Sequence, residues 1–133
     1  MANSFKIFRV TLQVSNLEKA VQFYSELLDD EGTSIRGSRH YFDCGGVILA
    51  ILDPTQGGIK AKPIPEYVYF SVKNLKQVHE RAKKLGCLSK DDVHGESAAE
   101  IIKRPWGEKS FYVEDPFGNG LCFVDEKTLF AGR

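Results

Sequence analysis

Residues 14–28, VSNLEKAVQFYSELL, and residues 72–86, VKNLKQVHERAKKLG, carry one pattern twice. In register, Val14 meets Val72, Asn16 meets Asn74, Leu17 meets Leu75 and Leu27 meets Leu85, a constant offset of 58 (72 minus 14). The match extends backwards. In RVTLQV (9–14), Val10, Leu12 and Val14 alternate with Arg9, Thr11 and Gln13; in YVYFSV (67–72), Val68, Phe70 and Val72 alternate with Tyr67, Tyr69 and Ser71. Period-two alternation is the signature of a strand with one face on a core. A chain that repeats a strand followed by a helix is constrained to build two similar modules.

Asn16 and Asn74 stand where the short side chain of an N-cap accepts a hydrogen bond from the first helical turn. Beyond them Leu17, Ala20, Val21, Tyr24, Leu27 and Leu28 recur at helical spacing, as do Leu75, Val78, Ala82 and Leu85 before Gly86. Short strand signals follow each helix: TSI, RHYFDC and GGVILAILDP in the first half, AEIIKR, KSFYVED and NGLCFVDE in the second. Each half therefore reads as βαβββ, with the Gly- and Pro-rich PTQGGIKAKPIP (54–65) as linker. DPFGNG (115–120) reads as a tight turn joining the last two strands, because proline presets one dihedral and Gly or Asn tolerates the positive φ that follows.

A length of 133 residues fits one domain. Eighteen basic residues balance eighteen acidic ones without long runs of either sign, so nucleic acid and anionic membranes are not expected partners. No apolar run is long enough to span a bilayer, and MANSFKIFRV lacks the basic-then-apolar layout of a signal peptide; a cytoplasmic protein is expected. Cys44, Cys87 and Cys122 are odd in number and widely spaced, which favours small buried thiols over disulfides or a zinc knuckle.

Two βαβββ modules, an Asn-Leu helix start in each and the late stretch PWGEKSFYVEDPFGNGLCFVDE resemble the glyoxalase, bleomycin-resistance and extradiol-dioxygenase superfamily, the vicinal oxygen chelate proteins. The resemblance covers nearly the whole chain, and its most specific part is an aromatic strand followed by a D-P-x-G-N turn. It implies an α+β fold in which paired modules, about 1–60 and 61–133, form a single domain: an open, U-shaped mixed sheet around a cleft, helices outside. It also implies a homodimer, in which such modules are often exchanged between subunits. A concave, mostly apolar cleft is where small ligands bind.

Enzymes of this superfamily hold a divalent ion with His and Glu near the start of each module's first strand and in each last strand. The pattern H-x-x-x-x-V-x-[DN]-L puts those first-strand positions at Arg9 and Tyr67, again 58 apart (67 minus 9). The last-strand positions fall on Ala50 and Cys122. Arginine has no free lone pair and alanine no donor; tyrosine and cysteine alone would be an under-supplied site. Neither a metal nor another cofactor is therefore expected. His40 and Asp43 fall on opposite faces of a strand, His79 and Glu80 point apart on a helix, and His94 and Glu96 read as a mobile connection, so solvated roles are expected for all three histidines. There is no G-x-S-x-G elbow or G-x-G-x-x-G loop, and Cys122 has no adjacent base on its own strand.

The expected ligand-binding residues are Arg9, Gln13, Tyr67, Tyr69, Trp106 and one of Tyr41 and Phe42, since alternation sends those two to opposite faces. Arg9, Thr11, Gln13, Tyr67, Tyr69 and Ser71 would face Ala50, Leu52, Cys122 and Val124 across a cleft holding one cation. Arg9 then either pairs with an acid such as Asp53 or Glu114, or waits for an acidic or carbonyl-bearing ligand. Trp106 could cover a ligand, contact a second subunit or fill core. The leading expectation is a small-molecule binding protein without metal or turnover. The alternatives are a lyase, isomerase or dioxygenase using Arg9 and Tyr67 or a displaced metal, and a protein-interaction domain with KTLFAGR as a contact segment.

Overall fold

The computed structural model describes residues 3–132. Contacts divide the chain into two compact units, one ending at Pro63 and the other beginning at Ile64, a boundary inside the Gly- and Pro-rich stretch. The first unit runs β1 (Arg9–Gln13), α1 (Leu17–Leu28), β2 (Thr33–Ile35), β3 (Arg39–Cys44) and β4 (Val47–Leu52). The second runs β5 (Tyr67–Val72), α2 (Leu75–Leu85), β6 (Asp92–Val93), β7 (Glu96–Ser97), β8 (Ile102–Lys103), β9 (Lys109–Glu114) and β10 (Gly120–Asp125). Each contains an open four-stranded mixed sheet, ordered β1-β4-β3-β2 and β5-β10-β9-β8. The fold class is α+β.

In both sheets the last strand lies beside the first in parallel, and the registers repeat with the sequence. Thr11 pairs with Ala50 and Tyr69 with Cys122, and the first-strand members differ by the same 58 (69 minus 11). Helix starts are those of the sequence reading: Asn16 Oδ1 accepts from Lys19 N at 3.0 Å and Asn74 Oδ1 from Gln77 N at 3.1 Å. Helix α1 lays Ala20, Phe23, Tyr24 and Leu27 on β3 and β4. Helix α2 lays Leu75, Val78 and Ala82 on β9 and β10. Under α2 the rings of Phe70, Phe123 and Phe111 stack at 5.1 and 5.5 Å between successive centroids.

Three local expectations need correction. Residues 92–97 form a hairpin rather than a mobile connection: β6 and β7 pair around His94 and Gly95, which turn at φ 52° and 77°. Two residues with positive φ form the tight connection whose twist matches paired strands. The expected AEIIKR strand shrinks to Ile102–Lys103. Two of the histidines are structural rather than solvated. His40 is buried, with Nε2 2.8 Å from the Glu31 carbonyl oxygen, and His79 Nε2 lies 2.9 Å from the Ala99 carbonyl oxygen while its ring meets Phe111 edge-on.

The D-P-F-G-N turn does more than reverse the chain. Asp115 Oδ1 accepts from Phe117 N and Asn119 N, both at 2.8 Å, and Oδ2 accepts from Asn119 Nδ2 at 2.9 Å. Asn119, fully buried, accepts from Ile64 N at 3.0 Å through Oδ1, anchoring the chain as it approaches β5. Asn119→Ala removes both the donor to the buried Asp115 carboxylate and the acceptor of the Ile64 amide, so urea unfolding should show a loss of about 2–3 kcal/mol. A loss below about 0.5 kcal/mol would contradict this anchoring role.

Candidate functional site

On the first sheet one face carries Val10, Leu12, Phe42, Leu49 and Ile51 against α1, and the other carries Arg9, Thr11, Gln13, Tyr41, Ala50 and Leu52. Of the adjacent aromatics, Phe42 is buried beneath the helix, 6.4 Å from the Tyr24 ring, and Tyr41 stands on the open face. Arg9 Nη1 donates to Tyr41 Oη at 3.1 Å, and its guanidinium lies 5.0 Å from the Phe8 ring centroid and 5.7 Å from that of Tyr41. Among the described residues no carboxylate pairs with Arg9; the Asp53 side chain accepts from the Thr55 amide and hydroxyl instead. Gln13 Oε1 accepts from Lys62 N at 2.9 Å, which ties the linker to β1.

The equivalent face of the second sheet carries Tyr67, Tyr69, Ser71, Ser110, Tyr112, Cys122 and Val124, and it is covered in part, Tyr69 and Ser71 remaining exposed. Ala98 seals Tyr112, Cys122 and Val124 into a buried cluster. Beside them Arg104 is only 2 % exposed. Its Nε donates to Ser110 Oγ at 3.1 Å, Nη1 to Ser97 O at 3.2 Å, and Nη2 to Glu100 O and Ser110 O at 3.3 and 3.0 Å. The guanidinium also sits 5.2 Å from the Tyr112 ring centroid. A buried cation is tolerated when its donors are satisfied, and here carbonyl dipoles, one hydroxyl and an aromatic face do this.

Two sequence expectations change accordingly. Ala50 and Leu52 flank Thr11 and Gln13 within one sheet, as Cys122 and Val124 flank Tyr69 and Ser71, so they are neighbours rather than opposite walls. Arg9 is also not the sole cation on these faces. No local pattern in the sequence marks Arg104, which precedes Pro105 and Trp106, as a buried cation.

Tyr67 packs across Gly120, its strand neighbour, and meets Tyr112 edge-on at 4.8 Å. A Cβ on Gly120 would stand 2.5 Å from the Tyr67 ring, so this glycine makes room for the phenol. Burial, then Asp91 and Tyr69, raises the Tyr67 phenol above its ordinary range. Burial also raises Tyr112. It pushes Cys122 up to about 11, although the Ser110 and Tyr112 hydroxyls and the Arg104 charge pull the other way.

These chemistries decide what the superfamily's metal positions could hold. Arg9 presents a cation, Ala50 no donor, Tyr67 a phenol that keeps its proton, and Cys122 a buried protonated thiol. Among the described residues no group of three or more His, Cys, Asp or Glu side chains is placed to hold a metal ion. The residues present do not fit the superfamily's ordinary centre.

Trp106 lies half-buried in the turn between β8 and β9. Its Nε1 donates to Glu108 Oε1 at 2.7 Å, and its ring meets His94 edge-on at 5.0 Å. Together with Tyr69, Ser71, Leu129 and Phe130 it borders a hollow of about 490 Å³ within the second unit.

The sequence matches the model of the Glyoxalase/Bleomycin resistance protein/Dioxygenase superfamily over residues 6–123, and the chain belongs to that superfamily. No curated protein sequence matches the chain. Among solved structures, a glyoxalase/bleomycin resistance protein from Albidiferax ferrireducens is 20% identical with a TM-score of 0.71, the match covering 88% of this chain and 95% of that one. Oxidase ChaP-H2 is 19% identical with a TM-score of 0.73, over 92% and 94% of the two chains. Lactoylglutathione lyase from Agrobacterium tumefaciens is 20% identical with a TM-score of 0.65, over 92% and 94%. At these identities the likeness is one of fold.

Cys87 is likewise buried and its thiol is pushed up to about 11; Cys44, raised by burial and then by Asp30 and Asp43, is only half-buried and is the one thiol a reagent can reach. A thiol-exchange reagent at about pH 8 should therefore modify one cysteine per folded chain and all three after unfolding. The unfolded thiols ionise near about 8.5 and the folded Cys87 and Cys122 near about 11. Their contribution to stability is therefore complete below about pH 8.5 and lost as pH rises towards about 11. Urea midpoints should fall across that window; midpoints unchanged between pH 8 and 10.5 (roughly) would contradict the assignment.

Proposed function

We propose that the protein is a homodimeric, cytoplasmic small-molecule binding protein of this superfamily, its two modules acting as one domain, which holds its ligand without a metal and without turnover. The observation that carries this reading is the side-chain chemistry at the four metal positions: Arg9, Ala50, Tyr67 and Cys122 supply no set of lone pairs for a divalent ion. The raised Tyr67 phenol is also a poorer proton donor than an ordinary tyrosine, which weighs against acid catalysis. Pairing of two copies is supported by Phe5, Ile7 and Phe8, apolar side chains exposed just before β1. Among the described residues no helix is long and apolar enough to cross a membrane.

The ligand expected at Arg9 is small and acidic or carbonyl-bearing, because the guanidinium stands on an open face with a tyrosine hydroxyl beside it and, among the described residues, no acid paired to it. Equilibrium dialysis with benzoate and its neutral analogue benzamide tests this. Benzoate should bind more tightly, Arg9→Ala should weaken benzoate about tenfold while leaving benzamide nearly unchanged, and both compounds should be recovered intact. Equal weakening of both, or chemical conversion of either, would contradict the reading.

A further inference from the structure

The hollow beside the C-terminal tail belongs to neither the metal positions nor the Arg9 face. Its walls are held by a single carboxylate. Glu108 Oε1 accepts from the Trp106 indole at 2.7 Å, and Oε2 accepts from Phe130 N at 2.9 Å. The tail has a second tether: Lys109 N donates to Thr128 Oγ1 at 3.0 Å, and that hydroxyl donates to Asp125 O at 2.8 Å. Trp106 and the tail are thus set in place by the protein's own bonds, which lowers the ordering cost of binding between them. Even so, Tyr69, Leu129 and Phe130 remain 57, 55 and 54 % exposed, as aromatic and aliphatic walls of the hollow.

The volume, about 490 Å³, is that of a small-molecule site. Among the described residues no lysine, arginine or histidine lines it, and Glu108 is the one carboxylic acid that does. Arg104 is held away by its own hydroxyl and carbonyl partners and lies over the Tyr112 ring. An anion placed here would face the Glu108 carboxylate, with no cation among the described lining residues to offset it. Both carboxylate oxygens already accept from an N–H, so the carboxylate is partly committed and a cation is not strongly drawn in either.

We propose that this hollow is a binding site for a neutral, planar aromatic molecule, which lies between Trp106 and Phe130, and that Glu108 both sets the two walls and excludes anions. The proposal rests on the reading of the chain as a small-molecule binder but not on Arg9. Stacking on fixed aromatic walls supplies the attraction, and the Ser71 hydroxyl offers the ligand's edge a hydrogen bond.

Trp106 is the chain's one tryptophan, so its emission reports this site alone. Full-length protein is titrated with phenylnaphthylamine, which is neutral, and with anilinonaphthalenesulfonate, the same ring system bearing a sulfonate. The neutral probe should quench Trp106 saturably at one site per chain and bind at least about tenfold more tightly than the sulfonate. Glu108→Gln should narrow that ratio to about threefold or less, and Phe130→Ala should weaken the neutral probe about tenfold with an unchanged circular dichroism spectrum.

A missing saturable response, equal affinity for the two probes, or a Phe130→Ala variant that binds as before would overturn the proposal. So would Trp106 emission that changes with protein concentration in the absence of probe, since a second copy would then occupy the hollow. If the probes fail while benzoate still binds in an Arg9-dependent manner, this site falls and the broader reading stands. If both fail, both fall.

Discussion

Parallel pairing of the first and last strand is the constraint on which each unit depends. Parallel neighbours cannot be joined by a tight turn; the chain must cross over, and α1 and α2 begin those crossovers. Once β4 and β10 are central, one face of each is committed to a helix and the other to the open side. Ala50 and Cys122 are thereby brought beside Thr11 and Tyr69, and the superfamily's ligand positions become defined places in the sheet. The chemistry at those places then follows from residue type alone.

The two modules use this common frame differently. In the first, small and polar residues leave the open face accessible, with Arg9 and Tyr41 as its hydrogen-bonded pair. In the second, residues 97–104 fold back over the corresponding face and bury Arg104 against Ser110 and Tyr112. The raised Tyr112 phenol and the protonated Cys122 thiol are consequences of that cover. What remains open in the second module lies further along the sheet, where the tail and Trp106 define a hollow.

Much of the fold was legible in sequence because edge strands announce themselves. β1 and β5 alternate cleanly, and each helix begins at an asparagine whose cap the structure contains. The central strands were harder: VILAIL and LCFV are continuous apolar runs, so their face assignment comes from pairing rather than periodicity. The hairpin at 92–97 has two residues per strand, too few for a pattern. Of the expected site residues, Arg9 and Tyr41 do come together, as do Tyr67 and Tyr69 with Tyr112. Phe42 goes to the helix side, and Gln13 holds the linker. Arg104 and Glu108 were invisible because their roles depend on what the chain folds over them.

At the superfamily's metal positions Arg9, Ala50, Tyr67 and Cys122 form a donor set that does not fit a divalent ion. Elemental analysis of untagged protein tests it most directly, after purification without chelators and again after dialysis against nickel, zinc, manganese and iron(II). Metal far below one ion per chain or per dimer in every sample is the expected result. A value near one ion per chain or per dimer would contradict the account and restore metal-dependent catalysis as the reading of this site.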